Sequence, residues 1–233
     1  MQNIITVTDI NKSFYKKNSS EEFEKENKVL QNITFALEKG KITSLMGPSG
    51  VGKSTLLYIL GTLETADSGL ILLNLQEQIF DYSKLTQKEL SKIRSKHIGF
   101  IFQFHHLLPE FSTLENIMMP GLILGLQTKE VEKRALELME LIGIEKTKNQ
   151  KPTELSGGEQ QRAAVARALI NSPEIIFADE PTGNLDSVNA KTVVNLLKQI
   201  NSEMNITFLI ATHSNEVASQ SDRIIKMQDG KLA

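Results

Sequence analysis

The chain has 233 residues, 40% of them hydrophobic, with no cysteine and a formal net charge of −2. A chain of this length can bury roughly 70–75% of its unfolded surface, enough for one large core or a core with a small subdomain. The balanced charge argues against a nucleic-acid-binding face, and the missing thiols exclude disulfides, thiolate metal sites and a cysteine nucleophile, a usage that suits the cytosol.

Residues 4–7 alternate and read as a strand that ends at Lys12-Ser13-Phe14-Tyr15. The polar residues 16–28 read as a solvated loop. Val29 to Leu37 reads as a second strand, closed by a turn at Glu38-Lys39-Gly40. Ile42 to Met46 is an apolar run that reads as a buried strand. It leads into Gly47-Pro48-Ser49-Gly50-Val51-Gly52-Lys53-Ser54, which fits G-x-x-x-x-G-K-[ST]. Thr55 to Leu60 continues as a helix. In that strand–loop–helix setting, glycines let successive backbone N–H groups close around a phosphate as an anion nest. The helix N-terminus adds free donors and a positive dipole end. Lys53 places a point charge on the β and γ phosphates, and the Ser54 hydroxyl suits Mg²⁺.

Further along, Asp67-Ser68-Gly69 reads as a turn and Leu70 to Asn74 as a short strand. Thr86 to Lys96 reads as a charged helix with Thr86 as cap and Glu89 three residues on. Ile98 to Phe102 reads as a buried strand ending at Gln103. Residues 104–152 change character and read as a helical subdomain inserted between strands. Phe104 to Pro109 is a loop; Thr113 to Leu126 looks helical around a break at Pro120-Gly121; Thr128 to Ile142 is amphipathic, with Val131, Leu136, Leu138, Met139 and Leu141 available for burial. No apolar run reaches the 18 residues of a spanning helix, Ile117 to Leu126 being the longest, and residues 1–9 lack a secretory-signal layout.

Leu155-Ser156-Gly157-Gly158-Glu159 then opens a helix through Ile170. Ile175 to Glu180 is an apolar strand ending in two acids, 181–186 a tight loop, Ser187 to Ser202 a helix, and Ile206 to Thr212 a buried strand that delivers His213. Arg223 to Met227 and Asp229-Gly230 make a last strand and turn. Continuous apolar strands alternating with helices indicate an α/β fold with a mostly parallel sheet and a ligand at the carboxyl ends of its strands. Lys53, Gln103, Asp179, Glu180 and His213 all fall just past such ends.

An acidic pair ending a strand is, by itself, a solvated terminus. Downstream of a phosphate loop it takes on chemistry: Asp179 is placed to hold Mg²⁺ through water, and Glu180, pointing elsewhere, to polarise an attacking water as general base. His213 is a candidate γ-phosphate sensor. Neither His105 nor His106 has a partner at metal-ligand spacing, and both read as loop residues. The Ser156-Gly157-Gly158 cap is a second anion-binding helix start. Two such sites serve one γ-phosphate only if the second comes from another subunit, which points to a nucleotide held between two protomers.

Taken together, the phosphate loop at 47–54, Gln103, residues 155–159, Asp179-Glu180, Asn184-Leu185-Asp186 and His213, in this order, make the chain resemble the ATP-binding subunits of ABC transporters over nearly its whole length. The resemblance implies a P-loop NTPase core with a mostly parallel sheet, an N-terminal antiparallel β part and an inserted helical subdomain. All of residues 1–233 would form one ATP-binding domain, with 1–103 and 153–233 as core and 104–152 facing the membrane partners. It implies Mg²⁺-dependent ATP hydrolysis by a head-to-tail dimer of such subunits, with no nucleic-acid partner, working with separate transmembrane permease subunits at the cytoplasmic face of the inner membrane.

The residues carry over one by one. Phe14 would stack on adenine, beside an ATP-binding set of Gly47, Pro48, Ser49, Gly50, Val51, Gly52, Lys53, Ser54 and Thr55. Ser54, Gln103 and Asp179 would surround Mg²⁺, and Glu180 and His213 would be catalytic. Leu155, Ser156, Gly157, Gly158 and Glu159 would act on the partner's nucleotide, with Asp186 at the dimer seam. Ser214 stands where many members have Asp. Within the family, Phe102 to Phe111, Leu114-Glu115-Asn116, Met119-Pro120 and Gly61-Thr62-Leu63-Glu64 look like the ATPase of bacterial lipoprotein-releasing systems. The cell-division and macrolide-efflux ATPases are similar; the polar stretch near residues 18–27 departs from the tightest version of the pattern.

Overall fold

The computed structural model describes residues 2–17, 23–76 and 78–233. In chain order, β1 (Asn3–Lys17) and β2 (Phe23–Glu38) form a long antiparallel hairpin, and β3 (Ile42–Met46) runs into the glycine-rich loop and α1 (Lys53–Leu60). Then follow β4 (Ser68–Leu75), β5 (Gln78–Asp81), α2 (Gln87–His97) and β6 (Ile98–Ile101). A helical stretch comes next, α3 (Thr113–Ile123) and α4 (Thr128–Leu141). The chain ends in α5 (Gly157–Leu169), β7 (Ile175–Asp179), α6 (Ser187–Met204), β8 (Thr207–Thr212), α7 (Asn215–Ala218), β9 (Arg223–Gln228) and β10 (Lys231–Leu232).

Two sheets result. One is antiparallel in the order β2-β1-β4-β5; the other runs β10-β9-β3-β8-β7-β6, with β9, β3, β8, β7 and β6 mutually parallel. Strand alternation splits the core in two. Ile175 and Phe177 of β7 and Leu209 and Ala211 of β8 face one side, where they meet all the apolar residues of α1 (Leu56, Leu57, Ile59, Leu60) and the antiparallel sheet. Ile176, Ala178, Phe208 and Ile210 face the other side, against α5, α6 and the helical stretch. With both faces covered, every residue of β7 and β8 is buried. Helix α1 is thus clamped between two sheets, which anchors the loop in front of it.

Several expectations are corrected. Residues 16–17 and 23–28 are paired strand rather than loop, in a register joining Tyr15 to Glu26 and Lys16 to Lys25. Among the described residues the pairing of β1 with β4 ends at Asn11, so beyond it the ribbon is two-stranded, polar residues on both faces are compatible with strand, and polarity alone misreads it. Residues 18–22 lie outside the described residues. Pro120 does not break α3: its missing N–H costs one helical bond, while its carbonyl accepts from Leu124 N and Asn171 Nδ2. Gly121 lets α4 approach, since a Cβ there would stand 2.8 Å from Val131 Cγ1. On α4, Ala135 takes the fully buried place expected of Leu136, which is 38% exposed. The short β5, α7 and β10 carry no strong periodic signal. The capping box at Thr86 and Glu89 is present as the spacing indicates.

Candidate functional site

Of the residues singled out from the sequence, Lys53, Ser54, Asp179, Glu180 and His213 meet where β3, β7 and β8 end. The loop enters α1 through Gly52, whose φ of 101° is closed to residues with a Cβ; a Cβ there would meet Val29 O at 2.8 Å and Leu30 Cδ2 at 2.9 Å. No side chain caps α1 and no acid lies in its first turn, so its N–H groups are left for an anion. Gly50 faces open space, with φ 80°. A cleft of about 940 Å³ runs along the loop, lined by Gly47 to Val51, Asn27 to Val29 and Lys226 to Gly230.

Lys53 is buried (6% exposed) and its ammonium donates to Gly47 O at 2.8 Å and Pro48 O at 3.0 Å. It also stands 3.6 Å from Glu180 Oε1. That same oxygen lies 2.9 Å from His213 Nδ1. Glu180 itself has φ 44°, the left-handed region that a non-glycine residue enters only when its surroundings hold it there. The holding contacts are its N–H to Ala211 O (2.9 Å) and its carbonyl to Gly183 N (3.0 Å). The Glu180 and Asp179 carboxylates engage different partners. Asp179, the last residue of β7, accepts from Ser54 Oγ at 2.9 Å on one oxygen and from Tyr58 OH at 3.1 Å on the other. Burial, then the Asp179 charge, pushes the Tyr58 hydroxyl up to about 12.

The Ser54–Asp179 pair is an all-oxygen donor set. Among the described residues no group of three His, Cys, Asp or Glu side chains is arranged to hold a metal ion by itself. One hydroxyl and one carboxylate fit Mg²⁺, which keeps several waters and takes its remaining oxygens from phosphates. Thr55 follows on the half-buried side of α1. Gln103 lies past β6, but its amide engages Asn184: Nε2 donates to Asn184 Oδ1 at 3.4 Å, and Asn184 Nδ2 donates back to the Gln103 carbonyl at 3.1 Å. Gln103 makes no contact with Ser54 or Asp179 among the described bonds. Phe14 is 42% exposed, with the Lys12 ammonium 5.1 Å from its ring centroid; its cross-strand partner Asn27, not Phe14, lines the cleft.

Residues 155–159 form a separate site. Leu155 is buried, and Ser156 caps α5 in a capping box: its Oγ accepts from Glu159 N and donates to Glu159 Oε2, which also takes the Ser156 N–H. Ser156 and Gly157 are exposed. No described hydrogen bond or ion pair joins this segment to residues 47–54. Instead it abuts the start of α6. A Cβ on Gly158 would run into Asn189 Oδ1, and one on Gly157 would come within 3.7 Å of Leu185. Asn189 in turn donates to Asp186, the N-cap of α6, which also accepts from the backbone of Val188 and Asn189. Those bonds hold the exposed Asp186 carboxyl below its usual range. Asp186 and the Ser156–Gly158 turn therefore share one surface. Tyr58 and Asn189 were not singled out from the sequence. Tyr58 was findable in principle, being four residues after Ser54 and so on the same face of α1.

Residues 30–183 match the family model described as "ABC transporter", and the chain belongs to that family. It is 48% identical over 204 residues to the lipoprotein-releasing system ATP-binding protein LolD of Bacteroides fragilis, covering 88% of this chain and 93% of that protein. It is 42% identical over 229 residues to the LolD of Legionella pneumophila, covering 98% and 96%. Among solved structures, a dimeric ATP-binding cassette in a post-hydrolysis state bound to ADP and Pi superposes with a TM-score of 0.86 at 37% identity, over 98% of this chain and 96% of that one.

Proposed function

We propose that this chain is the ATP-hydrolysing subunit of an ABC membrane complex that drives release of lipoproteins from the inner membrane towards the outer membrane. The observation that carries it is the convergence of Lys53, Ser54, Asp179, Glu180 and His213 at the strand ends, in a chain whose relatives of similar length are LolD proteins. The ADP- and Pi-bound cassette supports the hydrolytic reading.

In this reading the open N–H groups of α1 and the Lys53 ammonium bind the β and γ phosphates. An incoming phosphate oxygen replaces Gly47 O, Pro48 O and Glu180 as the partner of Lys53. Ser54 and Asp179 would hold Mg²⁺, which when bound would supply charge neutralisation on the phosphates. Glu180, freed from Lys53, takes the proton of the attacking water, and His213 orients its carboxylate through the 2.9 Å contact. Phe14 stacks on adenine; Gln103, tied to Asn184, lies between this centre and residues 104–152, which face separate transmembrane subunits. Leu155 to Glu159 and Asp186 meet the nucleotide and seam of a second copy. Among the described residues no helix is long and apolar enough to cross a membrane, which supports peripheral attachment through such partners.

The test is co-purification from native membranes followed by reconstitution in proteoliposomes. Recovery of membrane partners with bound lipoprotein, and ATP-dependent lipoprotein release that Glu180→Gln abolishes, is the expected result. A cell-wall-hydrolase regulator or a drug-efflux assembly in its place would overturn the lipoprotein reading and leave the ATPase.

A further inference from the structure

Ser54 and Tyr58 stand one helical turn apart on α1, and both reach the same carboxylate. A carboxylate without a proton only accepts, so the Tyr58 hydroxyl is the donor to Asp179 Oδ2. Ser54 takes the other oxygen. With both oxygens engaged by groups on one helix, the Asp179 side chain has one orientation, and the oxygen turned to the phosphate-loop serine is fixed. Tyr58 is itself held: its ring lies 6.3 Å from that of Phe102, which stacks on Phe100 at 5.5 Å, and Phe100 touches Phe177 in the core. A rigid aromatic row thus runs from the sheet core to Tyr58 and ends beside the residue before Gln103. Tyr58 touches neither the cleft nor Lys53, Glu180 or His213 in any described contact, so no role in binding phosphate directly competes with this one.

We infer that Tyr58 is a positioning residue that orients the Asp179 carboxylate for the divalent cation and so sets how much Mg²⁺ productive ATP binding requires. The inference rests on the proposed role of Asp179. Partners of metal-binding carboxylates typically change metal affinity by about 10–100-fold when removed. Because Ser54 still holds one oxygen, the low end applies here.

The test uses the full chain carrying Glu180→Gln, so that nucleotide stays intact, and compares Tyr58→Phe, Asp179→Asn and the pair. ATP affinity is measured by calorimetry in EDTA and over a series of free Mg²⁺ concentrations. Tyr58→Phe keeps the ring and its stacking and removes one oxygen. The expected result is unchanged affinity in EDTA and about a tenfold rise in the free Mg²⁺ needed for half-maximal tightening. Adding Tyr58→Phe to Asp179→Asn should produce no further shift, since the two act through one contact. An equal loss with and without Mg²⁺, an unaltered Mg²⁺ requirement, or additive effects would each overturn the inference. If Asp179→Asn itself leaves the Mg²⁺ dependence unchanged, the reading of the metal site fails as well; if only Tyr58→Phe is silent, that reading stands and this inference alone falls.

Discussion

Two helix starts in this molecule both combine glycines with an exposed serine, yet they are built oppositely. At α1 the entry residue is a left-handed glycine, no side chain caps the helix, and a buried lysine crosses the opening. At α5 Ser156 and Glu159 satisfy each other in a capping box, and the glycines lie inside the first turn. The first end is electrostatically unfinished: its donors have no anion of their own, so binding one completes it. The second is locally complete, and its serine hydroxyl must leave the Glu159 carboxylate before it can donate elsewhere. The first therefore suits binding within one protomer, whereas the second suits a contact formed when another surface closes over it.

The largest expected effect separates chemistry from binding at the first end. Glu180→Gln should retain ATP affinity and lower turnover by about 10³-fold, within the range for a lost general base, and should accumulate an ATP-bound dimer. Phosphate release and size-exclusion chromatography with ATP read both; normal turnover would remove Glu180 as the base. Next comes the second end. Ser156→Arg should leave ATP binding to the monomer intact and cut hydrolysis by about 10²-fold, the scale of a lost donor to transition-state charge. An unaffected rate would contradict a site shared between two protomers.

A smaller effect contrasts the glycines themselves. Gly52→Ala meets backbone at a φ of 101° and should cost about 2 kcal/mol in stability together with nucleotide affinity. Gly158→Ala meets side chains rather than backbone, the amide of Asn189 first and then Arg162, and these can shift, so a change of under about 1 kcal/mol is expected. Denaturant unfolding of both variants decides it, and equal losses would break the contrast.

The smallest effect is the cap. Ser156→Ala should lower Tm by about 2–4 °C, a cap worth about 1 kcal/mol in a chain of this size, with nothing equivalent to lose at α1. The Ser156 hydroxyl, then its backbone N–H, hold the Glu159 carboxyl below its usual range. A carboxyl lowered on folding stabilises above its unfolded value, near pH 4.3, and that contribution fades as pH falls through the lower folded value. Glu159→Gln should accordingly differ from the parent in Tm at neutral pH and converge with it in strong acid.

What could be read from the chain alone was whatever is carried by local chemistry or by short-range pattern. The loop at 47–54, the apolar strands ending in Asp179-Glu180 and His213, and the Ser156 helix start announce themselves because phosphate binding, strand burial and capping each require particular residues at fixed spacing. The carboxyl ends of the strands as the meeting point follow from the parallel arrangement that those apolar runs imply. Other features depended on atoms far apart in sequence. The ribbon at 12–17 and 23–30 is held by cross-strand pairing that polar residues do not reveal, and α3 runs through Pro120 because α4 and Asn171 supply packing and a hydrogen bond from outside it. The left-handed turn at Glu180 needs Ala211, and the hold on Asp179 needs Tyr58 on another element. Local spacing determined which groups the protein carries; only tertiary packing decided which oxygen faces which donor, because orientation is set by contacts that no single segment contains.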